Sequence, residues 1–205
     1  MEELEPEFQA QVLEQFPDER AADIVEEMEP DEAADLLNKL DPDRAADIVQ
    51  LMQPEEMADV QELLPHKQDT AGGLMTTSYL SIRPGITSGE AMANLRADPE
   101  TRKAEVTYYV YVTDLDSKLL GVFSLSDLVL AEPQTLVDDI MHKRPRRVYL
   151  KSRQDEVLEK IAKYNLLAVP VVDSRGILRG VVTADDALEM ILPEDLKVKL
   201  PRIFR

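Results

Sequence analysis

Four consecutive segments repeat with a period of 12 residues: DERAADIVEEME from Asp18, PDEAADLLNKLD from Pro30, PDRAADIVQLMQ from Pro42 and PEEMADVQELLP from Pro54. Asp23, Asp35, Asp47 and Asp59 stand at equivalent positions. Proline fixes φ near −65° and lacks an N–H, so Pro30, Pro42 and Pro54 suit the first position of a helix. Asp41 is placed to cap the third unit, and the acids behind each proline meet the positive helix end. Ala33, Leu36, Leu37 and Leu40 recur at helical spacing and predict one apolar face. Each unit therefore reads as a helix of about nine residues closed by a tight turn. A helix that short is unstable alone, so the units must stack on one another.

Charge follows the same division. The chain has 205 residues, 23 Lys+Arg against 41 Asp+Glu, and a formal net charge of −18. Residues 1–68 hold 21 acids and 4 bases, a net of −17, whereas residues 69–205 hold 20 acids and 19 bases, a net of −1. An acidic surface repels duplex DNA and anionic membrane, so nucleic acid is not expected as a partner. Without cysteine, disulfides, thiolate zinc sites and Cys nucleophiles are excluded. His66 and His142 lie in unrelated contexts with no evident nucleophile, and no catalytic activity is expected. The longest apolar run, Leu166 to Val172, falls far short of the roughly 20 residues that span a bilayer. MEELEPEF at the start has no apolar segment of a signal peptide, and the expectation is a soluble cytoplasmic chain.

A compact body carrying −17 repels itself and would be relieved by hard divalent cations, which favour carboxylate oxygens. Asp31 and Asp35, Asp43 and Asp47, and Glu55 and Asp59 lie four apart, each pair on one helix face. No closed ligand loop accompanies them. The alternative is a solvated outer face with good N-terminal capping.

Beyond the junction Pro65 to Gly73 the chain repeats in a second way. Leu74-Met75 corresponds to Ile140-Met141, YLSI at 79–82 to RVYL at 147–150, and the helical stretch Ser88 to Arg96 to Gln154 to Tyr164. VYVTDLDSKLLGVFSLSDL (110–128) corresponds to VPVVDSRGILRGVVTADDA (169–187). Each unit reads strand, helix, strand, tight turn, strand, helix, with turn chemistry at Asp114 to Lys118 and Asp173 to Gly176. The strands are apolar and β-branched on both faces, as in a sheet covered on both sides. Val171-Val172-Asp173, Gly176, Leu178, Gly180 to Thr183 and Asp186, with Val112-Thr113-Asp114, Leu119, Gly121 to Ser124 and Asp127, resemble the closing motif of cystathionine-β-synthase (CBS) domains. The acidic short-helix repeat followed by AGGLMT (Ala71 to Thr76), TYYVYV (Thr107 to Val112) and GVFSLSDL (Gly121 to Leu128) resembles the cytosolic part of MgtE-type magnesium channels.

That resemblance implies an α/β chain with an all-α N-terminal part: a short-helix right-handed superhelix followed by a tandem CBS pair. The expected divisions are 1–68 for the acidic helical part, 69–134 and 135–192 for the CBS units, and 193–205 for a basic tail, read either as a connector to a membrane pore or as an ordinary basic C-terminus. The family pairs through its CBS units into a homodimer, so the implied place is the cytoplasmic face of the inner or plasma membrane where a pore is joined, covalently or as a separate chain.

For the site, the resemblance implies Mg²⁺ held between Asp31 and Asp35 of the helical part and Asp186, Glu189 and Glu194 of the second CBS unit. Like charges would push the two apart when the ion leaves. Asn165 departs from an acid found there in some relatives. CBS pairs also take adenine nucleotide (ATP, ADP or AMP) in the cleft between copies. The resemblance puts Ser124, Ser126 and Asp127 in one cleft, walled by Tyr79, Leu80, Leu167, Ala168 and Pro170, and Thr183 with Asp186 in the equivalent one. The alternative is that Ser124 and Thr183 end strands while Asp127 and Asp186 favour the dipole of a first helical turn. The basic run Lys143, Arg144, Arg146 and Arg147, with Lys151 and Arg153, reads as a seat for phosphates, a dock for the acidic helices or a solvated linker. The implied function is a Mg²⁺-sensing regulatory module of a magnesium transporter, modulated by adenine nucleotide. The alternatives are a free-standing CBS-pair nucleotide sensor acting on a separate protein, and a scaffold whose acids serve solubility alone.

Overall fold

A computed structural model describes residues 6–99, 101, 104 and 106–189. The N-terminal part holds α1 (Pro6–Leu13), α2 (Asp18–Glu26), α3 (Pro30–Leu37), α4 (Pro42–Leu51) and α5 (Pro54–Leu63), whose starts keep the 12-residue period. The first of these extends the repeat by one unit; Pro6 and Ala10 stand where Pro30 and Ala34 stand in a later unit, but the pattern AAD is missing there. Helices pack on their next-but-one neighbours, α1 on α3, α2 on α4 and α3 on α5. Leu13, Val25, Ala33, Leu36, Leu37, Ile48 and Val60 close one apolar core between them. The Asp41 carboxylate accepts from the N–H groups of Asp43 and Arg44, as its position before Pro42 requires. Arg44 in turn donates to the carbonyls of Leu13 and Phe16 at 3.1 and 2.8 Å and to Asp18 at 3.1 Å, closing the open C-terminal end of α1.

The second part contains β1 (Tyr79–Ile82), α6 (Ser88–Ala97), β2 (Val106–Thr113), β3 (Leu119–Ser124), α7 (Leu125–Leu130), α8 (Val137–Ile140), β4 (His142–Lys143), β5 (Val148–Tyr149), α9 (Gln154–Tyr164), β6 (Ala168–Val172), β7 (Leu178–Thr183) and α10 (Ala184–Glu189). One sheet runs β1-β2-β3-β4 and the other β5-β6-β7; β1–β2 and β5–β6 are parallel and the remaining pairs antiparallel. Every residue of β6 is buried, as expected of a sheet covered on both faces, whereas β3 alternates buried with half-buried.

Spatial units and sequence units are offset. β4 follows the 134/135 division yet pairs with β3 of the first unit, and Val137 lies in the first unit's core. Reciprocally, Thr76 exchanges two backbone hydrogen bonds with Val181 of β7, and Ala71 and Met75 lie in the second unit's core. The motif glycines permit this exchange. A Cβ on Gly180 would stand 2.7 Å from the Thr76 carbonyl oxygen, and one on Gly121 would stand 2.5 Å from the Met141 sulfur. Tyr111, fully buried, joins Ala168, Val172 and Val181 in a third core between the two sheets.

The junction 65–73 is sewn down as well. Ala71 and Gly72 donate to the carbonyls of Ser152 and Leu150, and Gln154 donates to that of Asp69. Gly180→Ala should force the exchanged segment aside and cost about 1–3 kcal/mol of stability, an overpacking penalty. Urea unfolding checks this through a lowered midpoint, with a single transition retained because the sheets share a core.

Candidate functional site

The apolar contact that seats the helical part on the second CBS-like unit also fixes its acids. Ala34 of α3 and Leu63 of α5 turn away from their own helices' core and join Ala71, Met75, Val148, Val157, Val182 and Ala187. Asp31 is thereby carried against α10. Its Oδ1 is sealed from solvent and has no hydrogen-bond partner among the described residues. Burial first, then the charge of Asp186, raise its carboxyl well above the ordinary carboxylate range, with Glu32 and Asp35 adding to the effect. Asp35 is raised by burial too, but Gln68 donates to its Oδ1 at 2.8 Å and Lys39 lies near enough to oppose the shift.

Asp186 approaches from the other side. The Thr183 hydroxyl donates to its carboxylate, and its own N–H donates back to Thr183 Oγ1 at 3.3 Å, a reciprocal cap on α10. Glu189 closes α10, but its side chain lies outside the described residues, as does Glu194 altogether. Asn165 has φ 49° and ψ 50° and ends α9 in the left-handed conformation, which asparagine tolerates far better than most residues. The acids Asp43, Asp47, Glu55 and Asp59 are exposed on the outer helices. Among the described residues no three acids or histidines converge to form a closed cage. Asp31 facing Asp186 is half of one, which suits a small hard ion that keeps several of its waters.

The residues expected at the nucleotide clefts differ in burial and in partners. Ser124 and Asp127 form a capping box: Ser124 Oγ accepts from Asp127 N–H at 3.0 Å, while the Asp127 carboxylate accepts from the Ser124 N–H and hydroxyl at 2.9 and 2.7 Å. Those bonds hold the Asp127 carboxyl below its ordinary value. Both motifs thus carry the local capping geometry. Leu80 is buried in the first unit's own core, Ala168 in the core between the sheets, and Pro170 is buried within β6. Tyr79 stacks edge-on against Tyr111 at 5.8 Å, and burial pushes its hydroxyl up to about 12, with Asp59, Arg179 and Glu62 near enough to perturb it. Ser126, Asp127 and Leu167 remain exposed. Tyr109, which sequence reasoning missed, pairs with Ser124 across β2 and β3 and accepts the Leu167 N–H at 3.5 Å, so it links the first motif to the second unit. Its alternation with Tyr111 inside TYYVYV is the signal that marks it.

The basic run is exposed throughout, with Arg146 4.5 Å above the Tyr164 ring. Lys151 and Arg153 line an open depression of about 570 Å³ with Tyr149, Ser152, Asp155, Glu156 and Glu159, outside the expected cleft. The ion pair that ties the helices to the second unit runs instead through Arg179, which lies 3.4 Å from Glu62.

The MgtE intracellular N domain family matches residues 1–69, and the CBS domain family matches 71–133 and 137–193. The crystal structure of the cytosolic domain of the Mg²⁺ channel MgtE in complex with ATP is 39% identical, covers 92% of this chain and 76% of that one, and superposes with a TM-score of 0.85. The chain belongs to the MgtE family. A second crystal structure, of the soluble part of a magnesium transporter, is 39% identical, covers 89% of this chain and 71% of that one, and superposes with a TM-score of 0.83. Magnesium transporter MgtE of Thermus thermophilus is 43% identical over 135 residues, 64% of this chain and 29% of that protein. The one from Enterococcus faecalis is 40% identical over 129 residues, 63% and 28% respectively. The chain thus spans under a third of the length of these curated MgtE relatives. Among its described residues no helix is long and apolar enough to cross a membrane.

The raised carboxyl of Asp31 has a definite sign. Below the unfolded value of 3.8 it is protonated in both states and contributes nothing. As pH rises through the raised value, ionisation costs the docked state and stability falls. In chelator, ¹³C NMR should find the Asp31 carboxyl titrating above the ordinary range, and Asp186→Asn should lower it.

Proposed function

We propose that this chain is the cytosolic Mg²⁺-sensing regulatory module of an MgtE-type magnesium transporter. The observation that carries this reading is the sealed, donor-less oxygen of Asp31 against Asp186, at the seam between the helical part and the second CBS unit. A carboxylate with one sealed oxygen that lacks a donor, beside a second carboxylate, is costly unless a cation joins them; its own backbone N–H offsets only part of that cost. Asp31, Asp35 and Asp186 would hold Mg²⁺ with waters in the remaining positions, and Glu189 and Glu194 complete the proposed ligand set. When Mg²⁺ falls, the acids repel, the helical part separates from the second unit, and the change passes to a pore domain. The ion drives docking by its differential affinity for the docked state. In this reading the chain works as a homodimer through its CBS units at the cytoplasmic face of the membrane.

Adenine nucleotide enters as a modulator. The MgtE cytosolic domain crystallised with ATP is 39% identical to this chain, and Tyr109 joins Ser124 to Leu167 across the two CBS units. Ser126 and Asp127 are the exposed polar groups offered to the nucleotide; their counterparts in the second copy are the buried Thr183 and the half-buried Asp186. Tyr79, Leu80, Ala168 and Pro170 would shape the walls through their packing.

Mg²⁺ added to the full chain in chelator is expected to slow proteolysis at residues 65–73 and to compact the particle in solution scattering; no change in either would sink the sensing reading. Asp31→Asn should raise protection in chelator, because the repulsion is gone, and move the remaining Mg²⁺ response upward by about tenfold, within the range of ordinary coupling energies. Calorimetry with ATP, ADP and AMP tests the modulator, and Asp127→Ala should weaken whichever binds.

A further inference from the structure

Arg179 sits in β7, half-buried, between two carboxylates from different parts of the chain. Its Nη2 lies 3.4 Å from Asp173 Oδ2, and its Nη1 lies 3.4 and 3.5 Å from the two carboxylate oxygens of Glu62 on α5. Asp173 is itself immobilised: its Oδ1 accepts from the N–H groups of Arg175 and Ile177 at 2.8 and 3.0 Å, and Arg175 Nε reaches its Oδ2 at 3.2 Å. Burial would raise the Asp173 carboxyl, but those bonds outweigh it and hold it at about 2, so it stays charged throughout the neutral range. Arg179 Nε is buried without a hydrogen-bond partner among the described residues, so the guanidinium's polar contacts there are the two carboxylates. Tyr79 of β1 packs beside this group, within electrostatic reach of Arg179, Glu62 and Asp59.

The seam therefore carries two facing acid pairs, Glu62 with Asp173 and Asp31 with Asp186. We infer that Arg179 is a built-in cation that neutralises the first pair and thereby positions the second for Mg²⁺, an inference that rests on the sensing reading above. The positioning is mechanical. α5, which Arg179 holds through Glu62, packs directly on α3, which carries Asp31. A guanidinium attached to the chain cannot diffuse away, so this link persists when Mg²⁺ is withdrawn. It sets the fraction of molecules already docked, and the apparent Mg²⁺ affinity scales with that fraction. Loss of the acid repulsion at one edge also means that separation in low Mg²⁺ opens first at Asp31 and pivots about α5.

The test is a double-mutant cycle on the full chain, read as the Mg²⁺ midpoint for protection of residues 65–73. Arg179→Ala and Glu62→Ala should each raise the midpoint by about three- to tenfold, the scale of a partly buried ion pair acting on a docking equilibrium. The double variant should be no worse than the poorer single one, Arg179→Lys should fall between wild type and Arg179→Ala, and the wild-type advantage should shrink at high ionic strength. Protection at saturating Mg²⁺ should be unchanged, because the ligands remain. Glu62 is partly exposed, so Glu62→Ala carries the test if Arg179→Ala does not fold. Additive effects, or an unshifted midpoint in Glu62→Ala, overturn the role of Arg179 while leaving Mg²⁺ sensing intact. A wild-type chain that ignores Mg²⁺ overturns both.

Discussion

Apolar packing of Ala34 and Leu63 into the second unit's core brings Asp31 against Asp186, and most other features of the seam follow from that opposition. Side chains that bury apolar area draw the helical part down, while two carboxylates in a poorly solvated space push it away. Gln68 and Lys39 relieve Asp35, and Thr183 steadies Asp186, but nothing described donates to the sealed Asp31 oxygen. In the proposed sensing reading this contest leaves docking near balance. A few kcal/mol of differential binding is enough to reverse such an equilibrium, about 5.5 kcal/mol for a swing from 1:99 to 99:1.

The two closing motifs show how one local geometry serves two ends. Ser124–Asp127 and Thr183–Asp186 have the same spacing, the same hydroxyl-to-carboxylate bond and the same position at the start of a helix. Asp127 faces outward, and its carboxyl is held low by the bonds from Ser124. Asp186 lies against Asp31 of α3, where its charge helps push that carboxyl above the ordinary carboxylate range. A duplicated motif has thus been drawn into different work by what packs on top of it.

Period and composition made the helical part legible almost residue by residue, because Pro at or just before the first helical position and Ala-Asp behind it recur every 12 residues from α2 to α5. α1 escaped because it keeps the period without the signature. α9 ran from Gln154 to Tyr164 as the apolar spacing required. Pairing across the CBS units was not legible: internal repeats identify equivalent residues, not partners, and Thr76 finds Val181 only in three dimensions. The same limit hid Arg179, which is 117 residues from Glu62. Density of charge drew attention to Lys143 through Arg153, yet a lone arginine in an alternating strand makes the contact. The acids Asp31 and Asp186 were visible through resemblance, whereas the burial of Leu80, Ala168 and Pro170 was set by packing that spacing alone does not encode.

The exchange of Met75–Thr76 for His142–Lys143 gives each sheet a piece that originates beside the other. A cut at the repeat boundary would leave both halves with an unfilled groove above their glycines, so neither half is a transferable part. Recombination can pass the pair between proteins only whole. The helical part, joined through a junction sewn onto the second half, inherits that indivisibility.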